Sequence, residues 1–142
     1  MGRRPQALGR VAMDPRFLSF DEVVAINTDQ VRRYGGLAGV RDEGLLLSAL
    51  AMPQTGFGDQ YAHVDLFGMA AAYLFHIVQN HPFVDGNKRV GAVSARIFLA
   101  LNGFRLDMPE ARIYDLVIAT AEGRATKPDI AEAFRTHAHP VG

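Results

Sequence analysis

The sequence predicts an all-α domain, a compact bundle of five to six helices. Three observations carry that prediction. Apolar residues recur at helical spacing almost throughout the 142 residues. The strongest breakers, Gly35-Gly36, Pro53, Pro82 and Asn102-Gly103, fall between those stretches. Strand patterns are nearly absent, with Arg16 to Leu18 the one candidate. No internal repeat, low-complexity tract or long linker interrupts the chain.

The first helix is written in "SFDEVVAINTDQVRRY". Ser19 and Glu22 stand at capping-box spacing. Val23, Ile26, Val31 and Tyr34 supply an apolar stripe, and Gly35-Gly36 ends it. In "RDEGLLLSALAMP" Asp42 and Glu43 complement the N-terminal dipole of a second helix, and Pro53 closes it. Gln54 to Val64 is a glycine-rich loop with two aromatics, a connector or a functional loop by composition alone. Asp65 to Asn80 is the core helix. Pro82 and Gly86 break the pattern, and Asn87 to Leu101 is a second buried helix with Val90, Val93, Ile97 and Leu101 on one face. "MPEARIYDLVIATAEG" is a further helix with Pro109 near its first turn, and "KPDIAEAFRTHA" a last short one. Residues 1–15 carry Arg3, Arg4 and Arg10 and are expected to be a disordered tail, leaving a single domain over 16–139. His137 and His139 are expected to belong to the C-terminal tail.

Composition narrows the function classes. Lys plus Arg and Asp plus Glu are equal at 15 each, so no direct nucleic-acid binding is expected. There is no cysteine, hence no disulfide framework and no thiolate metal site; a cytoplasmic location is the expectation. No apolar core follows the basic N-terminus as in a secretory signal. The uncharged run from Leu66 has only 13 truly apolar residues, to Val78, where about 20 would span a bilayer, so no membrane segment is expected.

Between the two most apolar helices stands "HPFVDGNKRVG", His81 to Gly91. His81 can take a proton from an attacking hydroxyl. Asp85 offers one carboxylate, enough for Mg²⁺ when phosphate oxygens and water complete the shell. A helix N-terminus follows, whose free N–H groups attract anions. Gly86 would let a phosphate approach the backbone, and Asn87, Lys88 and Arg89 add donors and positive charge. This is a parts list for phosphoryl or nucleotidyl transfer. The same residues also suit a plain capped turn, with Asp85 or Asn87 as cap, Lys88 and Arg89 solvated and His81 a bystander.

"HPFVDGNKR" resembles the active-site loop of the Fic/Doc superfamily, whose Fic branch has H-x-F-x-[D/E]-G-N-G-R-x-x-R. It is most similar to the death-on-curing branch, which has N-K-R. "FLSFDEVVAI", "RYGG…GVRDEGLLLSALAMPQ" and "FLALNGFRLD" extend the resemblance in the same order, over Arg16 to His137. The resemblance implies that His81 is the catalytic histidine, Phe83 the buried anchor, Asp85 the magnesium ligand, and Gly86, Asn87, Lys88 and Arg89 the nucleotide-phosphate cradle. Lys88 replaces the second glycine of the Fic branch, and Ala92 stands where its final arginine would be. Arg96, four residues on, is about 6 Å further along the helix.

Those departures favour γ-phosphate transfer from ATP, or another nucleoside triphosphate, over adenylylation. The implied target is a threonine of elongation factor Tu, and the implied role a translation-arresting toxin. The implied partner is an antitoxin whose disordered C-terminal segment folds into a helix in a groove. The inhibitory motif [S/T]-x-x-x-E-[G/N] is absent: Gly39 and Ile118 stand four residues before the two Glu-Gly pairs. Inhibition is therefore expected from a separate chain. An inactive Fic-fold binding module is the alternative from another class, and a metal phosphohydrolase lacks the His-Asp dipeptide it would need. His63 is expected to be a solvated loop histidine, His76 a packed core histidine, and Arg41-Asp42 a helix cap with an ion pair.

Overall fold

The computed structural model describes residues 14–57 and 60–141. Most of the expected N-terminal tail, residues 1–13, lies outside them. Six α-helices form one bundle: α1 (Phe20–Tyr34), α2 (Glu43–Ala51), α3 (Leu66–Asn80), α4 (Asn87–Leu101), α5 (Glu110–Ala121) and α6 (Lys127–His137). The all-α expectation holds at this level. Two small antiparallel sheets accompany the helices. β1 (Gly56–Phe57) pairs with β2 (Gln60–Tyr61), and β3 (Phe104–Leu106) pairs with β4 (Ala138–Pro140).

The sheets correct the strand reading. Arg16 to Leu18 is not a strand. Its backbone is instead tied to the helices: Arg16 N–H donates to Asn102 Oδ1 at 2.8 Å, and Leu18 N–H to the Tyr73 hydroxyl at 2.8 Å. Strands of two or three residues are too short to show an alternation a reader could find. His139, expected in a tail, pairs with Arg105 in the β3–β4 sheet, and His137 closes α6.

The cores of the helices follow their caps and faces. Ser19 and Glu22 form the anticipated capping box of α1, Asp42 caps α2 through Leu45 N–H, and Asp65 caps α3 through Gly68 N–H. α3 is central and packs against α2, α4, α5 and α6. Phe67, Met69, Tyr73, Leu74 and Ile77 are fully buried, as expected of a helix apolar on all sides. Each large side chain among them contributes about 1.5–3 kcal/mol of apolar burial.

Two predicted faces are rotated. The buried side of α4 is Asn87, Val90, Gly91, Ser94, Ala95, Phe98 and Leu99, whereas Val93 and Ile97 are half-buried and Leu101 is exposed. α1 buries Val23 together with two polar residues, Asn27 and Gln30, while Tyr34 is exposed. The reason in α4 is close approach. A Cβ on Gly91 would lie 2.9 Å from Val78 Cγ2 and 3.2 Å from Leu74 O, so the small residues face α3 and the larger ones are turned aside.

Candidate active site

The motif occupies the turn between α3 and α4. α3 stops at His81, whose backbone is left-handed (φ 52°, ψ 53°), the one non-glycine positive φ among the described residues. The side chain of His81 is exposed and lines a groove, while Pro82 and Phe83 beneath it are buried. α4 starts at Gly86, again left-handed (φ 82°). A Cβ on Gly86 would point inward, 3.6 Å from Asn27 Nδ2 and from Val31 Cγ2, which is ordinary contact distance. The glycine therefore serves the backbone conformation, and not the ligand clearance expected of it.

The loop is held by a segment far from it in sequence, residues 36–42. The N–H groups of Arg41 and Asp42 both donate to Pro82 O, at 2.7 and 3.1 Å, and Val84 N–H donates to Gly39 O at 2.9 Å. Val40 and Phe83 form an isolated antiparallel bridge. The buried Asn27 of α1 joins the two strands of this arrangement: Nδ2 donates to Asp85 O at 2.9 Å, and Oδ1 accepts from Gly39 N–H at 3.1 Å. Leu37 N–H donates to Asp85 Oδ2 at 2.8 Å, with Gly36 so close behind that a Cβ there would sit 3.0 Å from Asp85 Cβ.

Asn87 faces inward. Its Oδ1 accepts from Phe83 N–H at 2.9 Å and its Nδ2 donates to Phe83 O at 3.0 Å. Its main-chain N–H is left uncapped at the start of α4. Lys88 and Arg89 are exposed, and the Arg89 guanidinium lies over the Tyr34 ring, 4.6 Å from its centroid. Among the described residues Arg41 makes no ion pair; its guanidinium donates to the carbonyls of His81 and Asn80. Arg96 leans toward the start of α5, with Glu110 Oε1 and Met108 O both at 3.5 Å.

His81, Asp85, Gly86, Asn87, Lys88 and Arg89 all line one groove of about 640 Å³. Gln30 and Tyr34 of α1 form one side of it. It continues past Ala92 and Val93 of α4 to an apolar wall on α5 made by Ile113, Val117 and Ile118. The N-termini of α1, α2, α3 and α6 are closed by the side chains of Ser19, Asp42, Asp65 and Thr126. Among the described residues no side chain caps α4 or α5, and of these two it is the first turn of α4 whose residues Asn87, Lys88 and Arg89 line the groove. With the dipole and two adjacent cations, its N–H groups suit an anion. Among the described residues no three His, Asp or Glu side chains cluster as a metal cage. Asp85 alone suits a hydrated Mg²⁺ shared with phosphate oxygens.

The displaced histidine titrations lie outside the groove. Burial, with Lys127 and then His63 adding to it, pushes His76 down to about 4, and its Nε2 lies 3.0 Å from Lys127 Nζ. His63 is lowered too, by burial and then Lys127, and its Nε2 is sealed from solvent with no partner among the described residues. His63 is thus packed, contrary to the expectation of a solvated loop residue.

The contiguous motif was legible; its supports were not. Asn27, Gln30, Gly36 and Leu37 carry no local signal, because each acts on a residue far along the chain or lines the groove from another helix, and for Arg41 the sequence favours a cap with an ion pair over a role at the cleft.

Comparison with known proteins agrees with this geometry. A family profile described as the Fic/DOC family matches residues 17–99. The chain is 34% identical over 122 residues to "Protein kinase doc" of Escherichia phage P1, covering 84% of this chain and 94% of that protein. It is 42% identical over 86 residues to "Toxin Doc" of Mycolicibacterium smegmatis, covering 59% of this chain and 66% of that one.

Proposed function

Since this chain belongs to the Fic/DOC family, we propose that it is a toxin that moves the γ-phosphate of ATP, or another nucleoside triphosphate, to a threonine hydroxyl of a translation factor such as elongation factor Tu. The observation that carries this reading is the uncapped start of α4, which opens into a groove rimmed by His81, Asp85, Lys88 and Arg89. His81 takes the proton of the target hydroxyl as its oxygen attacks the γ-phosphorus, and the nucleoside diphosphate leaves. Proton transfer of this kind contributes roughly 10²–10⁴-fold. The N–H groups of Asn87, Lys88 and Arg89 and the two side-chain cations position the phosphates, so that most of catalysis is placement and charge neutralisation. Mg²⁺, held by Asp85, would neutralise charge on the phosphate oxygens.

Phosphoryl transfer is favoured over adenylylation by what surrounds Lys88. Its side chain occupies the rim where the Fic branch has glycine, and Ala92 lines the groove without a guanidinium. Arg96 stands four residues beyond Ala92 on α4, its guanidinium 3.5 Å from Glu110 Oε1 and Met108 O. The relative named as a protein kinase supports the same choice. The relative named as a toxin supports an antitoxin partner, and the apolar wall of Ile113, Val117 and Ile118 suits one face of an amphipathic helix.

The test is transfer from γ-labelled and α-labelled ATP, with Mg²⁺ and elongation factor Tu, by the wild type and by His81→Ala. Label arriving from the γ position alone, and lost in His81→Ala, is expected. Label from the α position would make the protein an adenylyltransferase. Label from neither, with growth arrest surviving His81→Ala, would leave it a binding module.

A further inference from the structure

The geometry points to Arg41 as the positioning residue of His81, acting on its main-chain carbonyl. This rests on the assignment of His81 as the base. The ring of His81 makes no hydrogen bond to any other described residue, so no carboxylate orients it as in a triad. No hydrogen bond fixes its direction, so the backbone beneath it governs where the ring can point. That backbone is left-handed, a conformation strained for a non-glycine residue and one that helix ends normally give to glycine. Such a residue persists only where its surroundings over-determine it.

Arg41 supplies that constraint. Nε donates to His81 O at 2.8 Å and Nη2 to Asn80 O at 3.2 Å, so one planar fork grips two successive carbonyls at the end of α3. The positive charge also faces the negative end of the helix dipole. On the next residue, the N–H groups of Arg41 and Asp42 fix Pro82 O. Arg41 is itself exposed and has no carboxylate partner among the described residues. Its side chain therefore contributes little to packing; its defined hydrogen bonds are the two that frame His81. Without the fork, the His81 peptide can relax toward the ordinary helical region, which swings the imidazole away from the groove.

The experiment compares Arg41→Ala and Arg41→Lys with the wild type in three measurements. In steady-state transfer, Arg41→Ala is expected to lower kcat by ~10–100-fold while KM for ATP stays within about twofold, the size of effect a misplacement near 1 Å produces. Arg41→Lys, which keeps the charge and one donor, is expected to recover part of kcat. In ring-labelled and ¹⁵N-labelled samples, Arg41→Ala is expected to lower the order parameter of the His81 amide and to broaden its imidazole signals, with the thermal midpoint nearly unchanged. Retention of kcat within twofold, or a parallel loss of kcat, KM and thermal midpoint, would overturn the inference. If the wild type transfers no phosphate, the reading of the reaction falls instead, and the spectra alone decide: an unchanged His81 order parameter in Arg41→Ala would sink the role of Arg41.

Discussion

Asn87 illustrates how a single residue can belong to the motif and yet commit its side chain to the loop itself. Its carboxamide replaces a missing ladder partner for Phe83, satisfying one buried donor and one buried acceptor. Asn87→Ala orphans both, and each such group costs about 1–3 kcal/mol. Urea unfolding should show Asn87→Ala destabilised by roughly 2–4 kcal/mol, an effect the substitution of an exposed phosphate ligand would not have. Lys88→Ala in the same experiment should move the midpoint little, because Lys88 is exposed. The residues of this loop were readable because His81, Asp85 and the helix start are adjacent in the chain and chemically unlike their neighbours. Asn27 was not readable: a lone asparagine in an amphipathic helix gives no sign that it is tied to Asp85, 58 positions later.

At the level of elements, the crossing of α3 and α4 decides where the motif sits. Gly91 lets α4 approach Leu74 and Val78 closely enough that Phe83 is sealed beneath the loop. Gly91→Ala places a methyl inside contact distance of a backbone oxygen and should destabilise the protein by about 1–3 kcal/mol, the usual cost of overpacking. A thermal midpoint equal to that of the wild type would show that the helices can part without loss. This element also marks the limit of pattern reading. The extents of α1 to α6 were legible from caps and breakers, and α4 begins and ends where Asn87 and Leu101 suggested. Its inner face was not, because the residues that pack most tightly, Gly91, Ser94 and Ala95, score low on any scale that rewards size. The inward Asn27 and Gln30 of α1 inverted the rule in the same way, and β3 and β4 fall below the length at which alternation can be seen.

For the whole molecule, the packed histidines set a dependence on acidity. His76 titrates near 4 in the folded protein and at the ordinary 6.5 when unfolded. Between those values the unfolded chain binds a proton that the native state excludes, so stability is complete above about 6.5 and falls as pH drops toward 4. With solvent screening at this half-buried site, the loss is on the order of 1–2 kcal/mol. His63, shifted in the same direction and also facing Lys127, adds to it. The urea midpoint should fall between pH 7.5 and 5.0, and His76→Gln, which still accepts from Lys127, should show a smaller fall; an equal fall in both proteins would assign the effect elsewhere. The stays between residues 36–42 and the motif have a consequence in time as well as in space. A ribosome releases about 5–20 residues each second, and Leu37 must wait for Asp85, 48 residues later, to leave the exit tunnel. A half-synthesised copy therefore holds none of these ties, and the groove they frame can take shape only late in synthesis.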